Sequence, residues 1–298
     1  GVLLFSPVGA SSRSRLVWFN RAGREIGRVG EPASYGDMRL SPDGRFVAIV
    51  RTEGLRSNGH IWILEVDRPG MTRVTREPGY YGYFAWSPDS TRLAFASVRH
   101  GCADLYLASV AGRDEKVLYQ SESLKGPEDW SRDGKLLLFN DSTKQTGAGL
   151  WVLPFDGQPE PQLFLTTGFQ IGLARFSPDG KHVAYTSQES GKTEVFVRPF
   201  YGPGDRQLIS PNGGWVPRWR RDGREIYYAS MDGQIWAAPV ELRPTLKVGL
   251  PTQLFRFPQA PPSMSVYDVS ADGERFLILV PTGEARSTPL TLVTNWNP

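Results

Sequence analysis

A five-residue turn recurs through the chain and limits what it can fold into. It stands as Leu40-Ser41-Pro42-Asp43-Gly44, Trp86-Ser87-Pro88-Asp89-Ser90 and Trp130-Ser131-Arg132-Asp133-Gly134. It returns as Phe176-Ser177-Pro178-Asp179-Gly180, Trp219-Arg220-Arg221-Asp222-Gly223 and Val269-Ser270-Ala271-Asp272-Gly273. Proline presets the turn, Asp caps it with its side chain, and Gly takes the positive φ without steric cost. Counted from the residue before Pro-Asp, the copies begin at 41, 87, 131, 177, 220 and 270, at intervals of 46, 44, 46, 43 and 50. A period of roughly 40 to 50 residues with four strands per unit is the length of a propeller blade. A helical repeat would need apolar faces at a period of about 3.6, and no unit carries one.

Each unit has the same order. An inner strand ends on Leu40, Trp86, Trp130, Phe176, Trp219 or Val269, just before the turn. A second strand follows at Val47-Ala48-Ile49, Leu93-Ala94-Phe95, Leu137-Leu138-Phe139, Val183-Ala184-Tyr185, Ile226-Tyr227-Tyr228 and Phe276-Leu277-Ile278. These near-continuous apolar runs suit strands buried on both faces. A third strand carries an aliphatic–aromatic pair, from Ile61-Trp62 to Ile235-Trp236, and a fourth runs from Arg73-Val74-Thr75 in the first unit to Gln253-Leu254-Phe255 in the fifth. Four antiparallel strands make one blade, and closing the ring protects the inner edges.

The ends set the blade count. Val2–Phe5, Arg15–Phe19 and Arg24–Val29 read as second, third and fourth strands, and the last unit adds strands near 264–270, 274–280 and 290–294. Five full blades with two incomplete ones give seven, the favoured count, with six the alternative. The whole chain, 1–298, is expected to be one all-β propeller domain with its ring closed by N- and C-terminal strands.

Composition agrees with this class. Of 298 residues 40% are hydrophobic and 12% aromatic, while 32 Gly and 24 Pro suit many short strands joined by turns. No run of about 18 apolar residues occurs and no signal peptide is visible. The chain opens directly on a strand, as expected of a segment of a longer protein. A net charge of +3 gives no argument for nucleic acid as a partner, and the single Cys102 forms no internal disulfide and reads as a hairpin-loop thiol.

The aromatic–Ser–Pro–Asp–Gly turn, the Ala-Phe/Tyr strand and the aliphatic–aromatic strand resemble the TolB-type (Pro-Asp repeat) propeller family. The Gly-His and Trp-Asp signature of WD repeats is missing. Leu16–Gly23, Glu194–Phe200, Trp215–Gly223 and the ending from Pro289 to Trp296 look like the C-terminal propeller of membrane-anchored bacterial Ser/Thr protein kinases. That likeness covers essentially the whole chain and implies an extracytoplasmic, periplasmic-type position. No kinase chemistry lies within the sequence: it has no Gly-rich loop with a strand lysine, no His-Arg-Asp and no Asp-Phe-Gly.

Catalysis has no candidate constellation. The turn aspartates Asp43, Asp89, Asp133, Asp179, Asp222 and Asp272 sit in six blades at one hairpin, so they cannot converge on an ion, and turn capping explains them. Ser190-Gly191-Lys192-Thr193 imitates a phosphate loop, but Thr186 stands where a Gly is needed and no helix follows. Gly-x-Ser-x-Gly is missing, and His60, His100 and His182 are expected as isolated surface or edge residues. Neither metal nor cofactor is expected.

Binding has better candidates. The connections that enter each inner strand rim the central channel, and they carry Tyr35, Asp37, Tyr80, Tyr81, Tyr83, Glu128, Asp129, Phe169, Gln170 and Trp215. Aromatics beside Gly supply rigid contact area at low entropic cost. Simple packing of the channel mouth by the same side chains is the blander reading and carries somewhat more weight. Arg218, Arg220, Arg221 and Arg224 form the densest basic cluster, expected as a solvated turn, with an anionic partner surface the alternative. The sequence thus points to a non-catalytic, monomeric binding or scaffold module for a protein or small-molecule ligand. A substrate-gating propeller of a prolyl-oligopeptidase-like hydrolase is the other reading.

Overall fold

The computed structural model describes residues 2–5, 13–52, 59–79, 81–99, 101–112, 114–143, 147–155, 160–257, 267–282 and 291–294. Its strands form six antiparallel sheets arranged as blades. Blade 1 holds Tyr35–Leu40, Phe46–Thr52, Gly59–Glu65 and Met71–Arg73; blade 2 holds Tyr81–Trp86, Arg92–Ser97, Asp104–Ser109 and Glu115–Tyr119. Leu124–Trp130 opens blade 3, Ile171–Phe176 blade 4 and Trp215–Trp219 blade 5. The inner strands neighbour one another in sequence order around the ring, and Tyr267–Val269 returns to Tyr35–Leu40.

The count is six, not seven. Tyr267–Val269 and Arg275–Pro281 supply the inner half of blade 6, and Ser14–Asn20 and Glu25–Ala33 supply its outer half. Leu16 pairs with Leu279 and Trp18 with Leu277, so the N-terminal strand completes the C-terminal sheet. The remaining terminal strands, Val2–Phe5 and Thr291–Thr294, pair only with each other in a separate two-stranded sheet. Six terminal strands resemble two partial blades in a linear count, but four of them belong to one sheet.

The core is divided into six clusters, one at each blade-to-blade contact. Alternation along the second strand explains the assignment. In blade 1, Val47 and Ile49 face blade 6 while Ala48 faces blade 2. In blade 2, Leu93 and Phe95 face back and Ala94 faces forward; in blade 4, Val183 and Tyr185 face back and Ala184 forward. The small central residue leaves room for a large one of the following blade, such as Trp86, Trp130 or Tyr228. No helix of the described residues is long and apolar enough to cross a membrane.

The repeated turn is a compact hydrogen-bonded unit. In blade 4, Ser177 Oγ donates to Asp179 Oδ1 at 2.6 Å and accepts from His182 N at 2.9 Å, while Asp179 accepts from Lys181 N at 3.1 Å. The same set recurs at Ser41 and Asp43, Ser131 and Asp133, and Ser270 and Asp272. Asp89 closes the blade 2 turn with Ser87 and Thr91, whereas Asp222 in blade 5, where Arg220 replaces serine, accepts from Arg224 N. Gly180 takes φ +70° in this turn, and Ser90, standing where the others have glycine, is held at +60°.

Blades 5 and 6 are further fastened beside their turns. Arg21, on the hairpin between the two N-terminal strands of blade 6, grips Glu225 with two bonds of 3.0 and 2.9 Å and Tyr227 with a third of 2.9 Å. Arg21 holds the Glu225 carboxyl down to about 2, helped by Tyr227 and Arg220 and opposed by burial. Because this value lies below the ordinary one of 4.5, the stabilisation is complete above pH 4.5 and is lost as pH falls toward 2. Acid unfolding of Glu225→Gln should therefore lack part of the wild-type pH dependence in that window. Coincident denaturation curves across the window would refute the clamp. Ser177→Ala strands the buried His182 N–H and should cost about 1–3 kcal/mol in urea denaturation.

Candidate functional site

The channel is built by the inner strands, and their local irregularity shapes it. Register shifts interrupt five of them, at Tyr35/Met38, Gly82/Phe84, Pro127/Asp129, Gly172/Arg175 and Trp215/Arg218. Tyr83, Leu173 and Val216 take φ of 53°, 52° and 54° there, the left-handed geometry of a bulge. A bulge frees backbone groups from the ladder, and buried ones need another partner. In blade 4 the freed Leu173 and Ala174 N–H groups donate to the Glu128 carboxylate of blade 3, at 3.0 and 3.1 Å.

Glu128 belongs to a layer of buried charge. Asn140 Nδ2 donates to it at 2.6 Å, and Arg175 Nη1 lies 3.4 Å from its Oε2. Arg39 reaches Asp129 at 3.3 Å and Asp268 at 3.8 Å, and Asp268 accepts from Arg218 at 2.9 Å. The aspartates also bind the backbone of a neighbouring blade: Leu40 N donates to Asp268 and Phe176 N to Asp129, both at 2.9 Å. Burial pushes the Glu128 carboxyl up to about 7, against the pull of Asn140, the two amides and Arg39.

The layer separates two cavities. On the loop side lies one of about 580 Å³, lined by Tyr83, Lys125, Glu128, Gln170, Trp215 and Met231 among others. Trp215 Nε1 and Asp141 Oδ1 are buried in its wall without a hydrogen-bond partner among the described residues. Lys125 is paired with Asp104 at 3.4 Å and donates to Ser121 and Ser123. Leu124, the first residue of the blade 3 inner strand, and the loop residues Phe169 and Met231 are exposed by 59, 50 and 78% at this end. On the turn side lies a cavity of about 430 Å³.

The structure divides the sequence-derived candidates. Tyr83, Glu128, Gln170 and Trp215 come together in the loop-side cavity, with Phe169 beside it on the loop. Tyr35 and Tyr81 are buried in the blade cores, their hydroxyls donating to Glu31 and Glu77 carbonyls at 2.6 and 2.5 Å. Asp37 lines the narrow waist with Arg39 and Arg175, while Asp129 opens on the turn side. Tyr80 and His100 lie outside the described residues. The expected basic cluster is dispersed: Arg218 is buried in the channel, because the bulge at Trp215/Arg218 turns it inward, and Arg220 pairs with Glu225 and Asp222. His182 is buried beside its turn and not on the surface, and half-buried His60 meets Thr75. Among the described residues no group of three His, Cys, Asp or Glu side chains could hold a metal ion.

Arg39, Arg175 and Lys125 were not legible as channel groups from composition or local motif. A signal existed: the residue before the inner strand's last position is charged in five of six repeats, as Arg39, Asp129, Arg175, Arg218 and Asp268.

Six antiparallel blades, five of four strands and one of five, around a charged channel define a β-propeller module. The TolB beta propeller domain model matches residues 37–234, and the chain belongs to that family. It is 28% identical over 176 residues to the Tol-Pal system protein TolB of Anaeromyxobacter dehalogenans, spanning 58% of this chain and 37% of that protein. It is 24% identical to tricorn protease homolog 1 of Streptomyces coelicolor, spanning 70% of this chain but 18% of that protein. Among solved structures, one described as a TolB from Agrobacterium tumefaciens superposes with a TM-score of 0.72 at 19% identity, covering 92% of this chain and 100% of that one.

Carboxyl ¹³C NMR should find a Glu128 titration with a midpoint near 7 that disappears in Glu128→Gln. A midpoint at the ordinary 4.5 would mean that the hydrogen bonds outweigh burial.

Proposed function

We propose that this propeller is a non-catalytic binding module that takes a segment of a partner protein into its loop-side mouth. The observation that carries this reading is the 580 Å³ cavity, which falls in the usual range for ligand sites and is approached by exposed Leu124, Phe169 and Met231. The same wall holds a buried donor, Trp215 Nε1, and a buried acceptor, Asp141 Oδ1, that have no hydrogen-bond partner among the described residues. The ionisable groups of the wall already have other duties: Glu128 holds two backbone amides and Lys125 holds Asp104. That favours binding over proton transfer.

The kinase-type resemblance extends the proposal to placement, as an extracytoplasmic sensor or scaffold domain of a larger bacterial protein. The matches to a tricorn protease homolog and to a Bacillus subtilis peptidase, the latter 26% identical across 29% of that protein, favour one second reading. In it the propeller gates substrate for a catalytic domain elsewhere. A kinase domain encoded with this propeller supports the first placement, and a hydrolase domain the second.

Affinity capture from cell extract with the purified propeller tests the binding reading. Tyr83→Ala with Trp215→Ala should keep the fold and weaken capture of the partner by about tenfold or more, the loss of roughly 1.4 kcal/mol expected of a truncated aromatic anchor. Equal recovery by wild type and variant would exclude the loop-side mouth.

A further inference from the structure

The turn-side mouth concentrates arginine. Its cavity of about 430 Å³ is lined by Arg39, Arg132, Arg175, Arg218 and Arg221, against two carboxylates, Asp129 and Asp268. Those two acids are already engaged: Asp129 with Arg39, and Asp268 with Arg39 and Arg218. Each also accepts a backbone amide. Arg175 is likewise bound to Glu128 on the waist side.

Arg132 and Arg221 are different. Both are solvent-exposed at the rim. They span the opening as two chords of the ring. Arg132 of blade 3 reaches the Arg221 carbonyl of blade 5 at 3.4 Å, and Arg221 reaches the Pro42 carbonyl of blade 1 at 3.5 Å. Both contacts are long, and both acceptors are neutral. A guanidinium carries five N–H donors in a planar fork, so each keeps most of its hydrogen-bonding capacity. Partial burial, and after it the Arg221 charge, depress the Arg132 guanidinium, with Asp129 opposing them. Deeper in the wall, Arg175 Nε is buried without a hydrogen-bond partner among the described residues, and Arg175 is 6% exposed.

We propose that this mouth is a second ligand site, distinct from the loop-side cavity, that binds a small oxyanion bearing two or more carboxylate or phosphate groups. One anionic group exchanges the two long carbonyl contacts for charge-assisted, bidentate bonds from Arg132 and Arg221. A second group enters toward Arg175 and the buried arginine layer. The volume accommodates a compact organic acid or pyrophosphate. Because the site lies at the opposite end of the channel from Trp215, it stands or falls independently of the binding reading above.

The test is calorimetric titration of the purified protein with citrate and with pyrophosphate, at ionic strength matched with sodium chloride. Saturable binding of at least one is expected, and which one binds separates a carboxylate ligand from a phosphate ligand. Arg132→Ala with Arg221→Ala should weaken it by about tenfold or more, while Trp215→Ala leaves it unchanged. Arg132→Gln with Arg221→Gln, which keeps the stem as far as Cδ and a polar end while removing the charge, serves as the second variant if the alanine pair unfolds, and should weaken binding likewise. Absence of saturable binding for both anions, or equal affinity in wild type and a folded arginine variant, overturns the site.

Discussion

Ring closure is the constraint on which everything else depends. The core is not one body but six interfaces, each shared between neighbours, so a blade with an open face would leave one cluster half exposed. The pairing of Leu16 with Leu279 and Trp18 with Leu277 removes that open face by stitching the N-terminal strand Ser14–Asn20 into the last sheet. It also makes the contact between blades 6 and 1 equivalent to the other five. The Arg21, Glu225 and Tyr227 group guards the other side of the same blade, where the sheet completed from both ends meets blade 5. Gly273 belongs to this fastening: a Cβ there would stand 2.2 Å from the Tyr227 hydroxyl.

The channel solves a second problem that closure creates. Inner strands crowd together at the axis, bulge, and lose part of their ladder, leaving amides that need acceptors away from bulk water. Carboxylates from neighbouring strands supply them, and arginines then balance the carboxylates. Buried ion pairs repay their desolvation only when they are well hydrogen-bonded, and Glu128, Asp129 and Asp268 meet that condition through the backbone. The layer therefore ties blades together across the axis and divides one channel into two chemically different mouths. One mouth is apolar-rimmed and mixed in polarity; the other is guanidinium-rich.

Much of the fold was legible because the turn repeats its hydrogen bonds in five of its six copies. Ser177, Asp179 and Gly180 each have a local reason to be there, and local reasons can be read from one sequence. The site was only partly legible. Tyr83, Gln170 and Trp215 reach the loop-side cavity, but Tyr35 and Tyr81, in the same kind of segment, turn into the blades. Which way an aromatic turns depends on a bulge one or two residues away, and bulges leave no composition signature. Arg39 and Arg175 looked like ordinary strand charges, since only their common register, not their neighbours, marks them as facing the axis.

The front-and-back asymmetry of the second strand has a consequence for shape. Ala48, Ala94 and Ala184 present little volume to the blade ahead, while Ile49, Phe95 and Tyr185 present much to the blade behind. Blades 1, 2 and 4 thereby meet their two neighbours through surfaces of unequal bulk, whereas blades 3, 5 and 6 turn the larger Leu138, Tyr227 and Leu277 forward, and the angle between adjacent sheets is a property of the pair. A circle closes only when those angles sum to one full turn, so the number of blades is written in side-chain volumes summed around the axis. Enlarging one of these alanines would act on the curvature of the whole ring.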